Sequence, residues 1–374
     1  MNDARVSGSA LDRMFGAGPL PILAVAVPAI SAFAVSILVF LQRSGTQITG
    51  DGALVLAERY PLTLKTLLYP LHFQLVALPI GLWGLLDSPA PKLALLLGLH
   101  VALATLTAAF LVSRLGPAQG FAITLPLAVL GSSSYNFLFP WQIVFVLPML
   151  LVVAATWLSV ARTDRGLARR AGVAICLVLA VLSSNVGMVA IFALGLWFLF
   201  ERRWRQLVEL APAALGAVVW LVRFGIRHNR DHIAHAQAFT NASPEAVPVY
   251  IFSGMTHGIG SWLGLTQLVA TIAGIVLVVA FLGYVIARRI RVPPAFFSFV
   301  AATFALFAAL SLIRSNADPN QAAGDRYAYL VLFMLAAGLG AAAPRIPASR
   351  LLVVVGIVAA VFNAGLLFEA LRAP

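Results

Sequence analysis

"ILAVAVPAISAFAVSILVFL", residues 22–41, runs for twenty positions without a charged side chain. At about 1.5 Å of rise per residue, such a run makes a helix about 30 Å long, which is the thickness of a bilayer's hydrocarbon core. It is longer than the roughly 7–15-residue apolar core of a signal peptide. The stretch before it, "MNDARVSGSALDRMFGAGPLP", is too weakly basic and too broken by Gly and Pro to start a leader. The run is expected to remain as a first transmembrane helix behind a cytoplasmic tail, residues 1–21.

The rest of the chain repeats this pattern. Of 374 residues, 61% are hydrophobic and 10% charged, whereas a soluble domain carries about a quarter charged. Further apolar runs fall at 93–113, 119–133, 143–161, 171–183, 187–201, 207–224, 265–287, 294–313, 327–343 and 351–371. The expected fold is an all-α integral membrane protein with about eleven spans in one polytopic domain, residues 22–374. A shorter apolar piece, 72–86, reads as an interfacial helix, so short juxtamembrane helices are expected in the first outer loop, 42–92.

Arginine fixes the orientation. The net charge of +12 comes from 23 Arg and two Lys against 13 acids. With the N-terminus in the cytoplasm, inner segments hold 15 basic residues, in clusters such as "ARTDRGLARR" and "ERRWRQ", against five acids. Short Arg-rich loops mark the cytoplasmic face. Topology therefore accounts for the basic charge, and no nucleic-acid partner is expected. The lone Cys176 sits in an apolar run, which excludes a disulfide framework. Asn241-Ala-Ser is a glycosylation sequon by pattern only.

The other polar residues then gather on the outer side: in 42–92, in "GSSSYNFLFPWQIVF" (131–145), in "LSSNVGM" (182–188), in the outer loop 223–264, and in "IRSNADPNQAAGDRYAYLVLFML" (313–335) around the loop 314–326. Within the spans, only His100 lies well inside a helix. Polar groups at membrane depth are costly unless they line a wet functional cavity, and an outward-facing cavity is the expectation. Asp51, between Gly50 and Gly52, suits a general base or a metal ligand; equally, it suits a turn in a G-D-G loop. His72 stands beside it as an assisting group. Asn136 and Gln142 are hard to explain as packing and suit hydroxyl binding. Arg314 and Arg326 end and begin facing spans, where guanidinium forks match phosphate oxygens. Asp325 and Tyr327 flank Arg326, and Arg230 is a third phosphate candidate. His228, Asp231, His232 and His235 invite a metal reading, but a solvated cationic loop explains them better.

In order, "GDGALVL", "LHFQLVALP", "YNFLFPWQIVFVLP", "LSSNVGMVAIFALGLWFLFERRWRQL" and "GDRYAYL" resemble actinobacterial multi-spanning members of glycosyltransferase superfamily C. The resemblance covers most of residues 51–330. It implies an inverting transferase of the bacterial plasma membrane that takes a sugar from a polyprenyl-phosphate carrier to a cell-envelope glycan or lipid acceptor. Asp51 takes the place of the first-loop acid and Arg326 that of the arginine before a late span. Any divalent cation would fall to Asp51. The first-loop pattern is reduced here, since relatives carry a second acid where this chain has glycine, and "LHFQL" keeps His72 but lacks an acid. The alternatives from other classes are a flippase or transporter of a lipid-linked or anionic substrate, and a non-catalytic scaffold subunit.

Overall fold

The computed structural model describes residues 19–44, 77–86, 88–139, 142–160, 166–225, 245–287, 289, 291–314, 325–343 and 350–372. Among these, every regular element is helical. In chain order they are α1 (Pro19–Arg43), α2 (Ala77–Gly84), α3 (Pro89–Leu115), α4 (Pro117–Val129), α5 (Tyr135–Leu138), α6 (Ile143–Ser159), α7 (Leu167–Ser183), α8 (Asn185–Phe200), α9 (Trp204–Trp220), α10 (Ala246–Ser261), α11 (Gln267–Ala287), α12 (Pro294–Arg314), α13 (Asp325–Ala342) and α14 (Arg350–Arg372). Proline opens α3, α4 and α12, where its missing N–H costs nothing and its fixed φ fits the first turn. Each of the eleven apolar runs is a helix. Six helices, over 19–43, 89–115, 204–223, 267–287, 294–311 and 350–372, are long and apolar enough to cross a membrane.

Arginine-bearing ends come together at one end of the bundle. Arg114 Nε, closing α3, donates to the Gly340 carbonyl of α13 at 3.0 Å. Arg169 Nε, opening α7, donates to the Leu158 carbonyl of α6 at 3.0 Å. Arg203, between α8 and α9, donates to the Ser159 carbonyl at 3.3 Å, pairs with Glu201 and lies 4.7 Å over the Trp197 ring. Phe110 stacks on Trp157, and Phe200 meets Phe297 edge-on. Guanidinium groups thus occupy the helix carbonyls left without intrahelical donors.

From this common end the helices rise unequally. With about 1.5 Å per residue, α3 and α14 reach about 34–40 Å, while α4 reaches about 20 Å and α6, α7 and α8 about 24–26 Å. Their lengths are 27 and 23 residues against 13, 17, 17 and 16. The short α4, α6 and α13 form the interior, with most of their residues buried. The long α1, α11 and α14 lie outside and expose Leu, Val, Ile and Phe. Gly116, at φ +98°, turns α3 into α4, a backbone region that only glycine enters freely.

One element differs from expectation. Where 223–264 reads as an outer loop, residues 246–261 form α10, and Tyr250, Gly254, Met255, Thr256, His257, Gly258, Gly260 and Ser261 are buried. Glycine makes this possible. Gly254 meets the Phe307 ring, Gly258 meets Val331, and Gly260 lies against the Ala270 backbone of α11. Small residues let helix backbones approach closely where larger ones cannot.

Candidate functional site

Helix α4 stops at Val129, about 20 Å from the arginine end. Pro126 sits in its last turn and Leu130 leaves the helix at φ −2°, ψ 60°. Breaking a helix inside an apolar bundle orphans backbone groups, and each must find a partner. Here side chains from distant helices supply them. In a continued helix the Ser132 N–H would bond the Ala128 carbonyl. Instead His100 Nε2 of α3 bonds that carbonyl at 3.1 Å, and the Ser132 N–H donates to Asn363 Oδ1 of α14 at 3.0 Å. Asn363 Nδ2 donates onward to the carbonyls of Trp262, just past the end of α10, at 3.2 Å and Ala359 at 3.0 Å. Ser132 Oγ donates to the Ser261 carbonyl at 2.8 Å. Two helix breaks, after α4 and after α10, are stitched together by one asparagine.

This arrangement lets residues 130–139 run as short turns at depth. Among them Ser132, Ser133 and Asn136 are fully buried, and Gln142 at the head of α6 is 2% exposed. The α7–α8 junction carries Ser183 and Ser184, also buried, with Ser184 Oγ capping the Val186 N–H at 3.3 Å. That junction is the tight helical turn that "LSSNVGM" allows.

Asn363 is testable apart from any activity. Asn363→Leu strips the partners from the Ser132 N–H and the Trp262 carbonyl together, and a buried unpaired group costs about 1–3 kcal/mol. A loss of about 2–5 kcal/mol is expected, read as a lower melting temperature in detergent. An unshifted melting curve would show that water reaches this layer.

The structure brings some sequence-predicted site residues together. Helix α13 packs against α5, α6 and the 131–133 turn. The Tyr327 ring, 3% exposed, meets Phe145 edge-on at 6.4 Å and Phe307 at 6.0 Å. Phe145 is one helical turn beyond Gln142, so Gln142 and Tyr327 lie within about one turn of each other at the head of α13, and the buried Asn136 belongs to α5, which packs on the same helix. Gln142 Oε1 is buried there with no hydrogen-bond partner among the described residues, and its side chain does not cap α6. Arg314 closes α12, while Asp325 and Arg326 open its antiparallel neighbour α13, so three predicted residues head adjacent helices at this same end. Asp51, His72 and Arg230 lie outside the described residues. Among the described residues, no group of three or more His, Cys, Asp or Glu is placed to hold a metal ion.

Several other buried polar residues have partners, or an element, that no local sequence pattern shows. His100 is visible as a lone histidine in an apolar helix, but its partners, Tyr329 at Nδ1 (3.0 Å) and Ala128, are 229 and 28 residues away. Asn363 is the one amide in α14, and a lone amide in a membrane-length run was the available signal. Tyr250 and His257, in the stretch that reads as an outer loop, are buried in α10. No known protein family, curated protein or solved structure matches the chain.

Proposed function

We propose that the chain crosses the bacterial plasma membrane about eleven times, with its N-terminus and arginine end in the cytoplasm. We propose further that it transfers a sugar from a polyprenyl-phosphate carrier to an envelope glycan or lipid acceptor on the outer face. The observation that carries this reading is the buried group of Asn136, Gln142 and Tyr327 beside the first turn of α13. It lies away from the arginine end, in a chain that is 61% hydrophobic and only 10% charged. A buried amide oxygen without a partner is the condition of a group that expects one from a ligand, and Gln142 Oε1 is such a group.

In this reading Asn136 and Gln142 bind sugar hydroxyls. Arg326, with Arg314 and Arg230, holds the carrier phosphate, and Asp325 and Tyr327 orient Arg326. Asp51 accepts the acceptor's proton, or ligates a divalent cation if one is used, with His72 assisting. The carrier phosphate is an activated leaving group, so positioning, a proton acceptor and neutralisation of the departing phosphate suffice.

The test uses purified chain in liposomes supplied with polyprenyl-phosphate-linked radiolabelled sugars and envelope extract. Arg326→Ala removes a charge-assisted contact and is expected to raise KM for the donor about 10–100-fold. Movement of labelled lipid between leaflets without transfer would favour the flippase. Neither transfer nor movement would leave the scaffold reading.

A further inference from the structure

His100 and Tyr329 are both fully buried, and their contact joins the broken end of α4 to the helix that opens with Asp325 and Arg326. A carbonyl can only accept, so in the neutral ring Nε2 carries the proton and donates to the Ala128 oxygen. That leaves Nδ1 as an acceptor for the Tyr329 hydroxyl. Tyr329 lies three residues after Arg326, on the same side of α13 and one turn below it. Ring packings also hold this turn: Tyr327 against Phe145 and Phe307, and Tyr329 against Phe333 at 4.7 Å. Ring packing tolerates small rotations of a helix, whereas a buried hydrogen bond at the tip of a long side chain is directional.

We infer that the His100–Tyr329 pair is a positioning element for the first turn of α13. It fixes the rotation of that helix against α3 and α4, and so sets where the guanidinium of Arg326 meets a phosphate-bearing ligand. The part that concerns the ligand rests on the reading of Arg326 given above; the part that concerns the helix does not. His100 touches no reacting atom in this scheme. It acts through Tyr329.

The two ring nitrogens can be separated by substitution. In His100→Asn the carboxamide falls where Nδ1 was, keeping an acceptor for Tyr329 but losing the bond to Ala128. In His100→Gln the carboxamide reaches to where Nε2 was, keeping the donor to Ala128 but losing the acceptor for Tyr329. Tyr329→Phe cuts the link and leaves the cap on α4 intact. These three changes are made in the full chain in nanodiscs, in two backgrounds. In one, Cys176→Ala with Arg326→Cys, the labelling rate of the introduced thiol by a membrane-impermeant maleimide is measured. In the other, with Arg326 retained, the Kd for polyprenyl monophosphate is measured.

Tyr329→Phe and His100→Gln are expected to change the labelling rate in the same direction by about threefold or more, through local loosening of the turn. They are expected to raise Kd about tenfold, and to do so non-additively when combined. His100→Asn is expected to keep both readouts near the parent while lowering the melting temperature more than Tyr329→Phe does. A role in stability alone would move the melting temperatures and neither readout. Equal labelling in every background, an inert thiol included, overturns the proposal, as does a His100→Asn variant that behaves like His100→Gln. If the His100 variants do not fold, Tyr329→Phe decides alone. If labelling follows the expected pattern but the parent binds no polyprenyl monophosphate, the positioning role stands and the carrier reading falls.

Discussion

Gly131→Ala is expected to leave no folded protein. A Cβ on Gly131 would run into the main-chain carbonyl of Asn363 and the backbone nitrogen of Leu367. These are backbone atoms of α14, a helix locked to the same place by the Asn363–Ser132 bond, so neither side can retreat. Relief would require α14 to move as a body, which would also pull Gly356 away from Ala122 and Phe362 away from Gly264. Overpacking of even one methyl costs about 1–3 kcal/mol where side chains can adjust, and here the obstacle is main chain. The measurement is size-exclusion chromatography of detergent extracts. A monodisperse peak at parental yield would mean that α14 and the 131–133 turn can separate enough to admit a methyl group. Gly98→Ala, with open space around the added methyl, is the matching control.

The second large effect concerns chemistry. Under the proposed sugar transfer, Asp51→Asn is expected to lower the rate by about 10²–10⁴-fold, the range over which a positioned proton acceptor contributes, with the melting temperature unchanged. Asparagine keeps the size and hydrogen-bonding reach of the side chain but neither accepts the proton nor holds a cation well. The effect thus separates base or ligand from turn former, because asparagine serves a G-D-G turn as well as aspartate does. Transfer at the parental rate in Asp51→Asn would remove Asp51 from the site and shift the weight to another acid.

How much was readable follows from which forces act locally. Apolar runs depend on composition alone: all eleven appear as helices, six of them long enough to cross a membrane, and the edges of α1, α11 and α12 fall within a few residues of the sequence estimate. Arginine clusters also act locally, through short loops, and the contacts of Arg114, Arg169 and Arg203 gather their helices at one end. Reading fails where a helix is made possible by its neighbours. Helix α10 looks like a loop because "SGMTHGIGS" is glycine-rich and polar. Its glycines are there because Phe307, Val331 and Ala270 press against them. The site divides the same way. Asn136 and Gln142 stood out because an amide in an apolar run demands a reason, while the His100–Tyr329 and Ser132–Asn363 bonds span 229 and 231 residues. No local pattern encodes such pairings.

The unequal helix lengths have a further consequence for the host lipid. In a bilayer, hydrophobic mismatch acts only on segments that touch acyl chains. Among the described helices, α1, α9, α11 and α14 are the least buried, with apolar spans of 20 residues or longer, while most residues of the shorter α4, α6 and α13 are covered by their neighbours. Thinner or thicker membranes would therefore be absorbed by tilting the perimeter, and the geometry around Gln142 and Tyr327 would stay insulated from changes in lipid chain length.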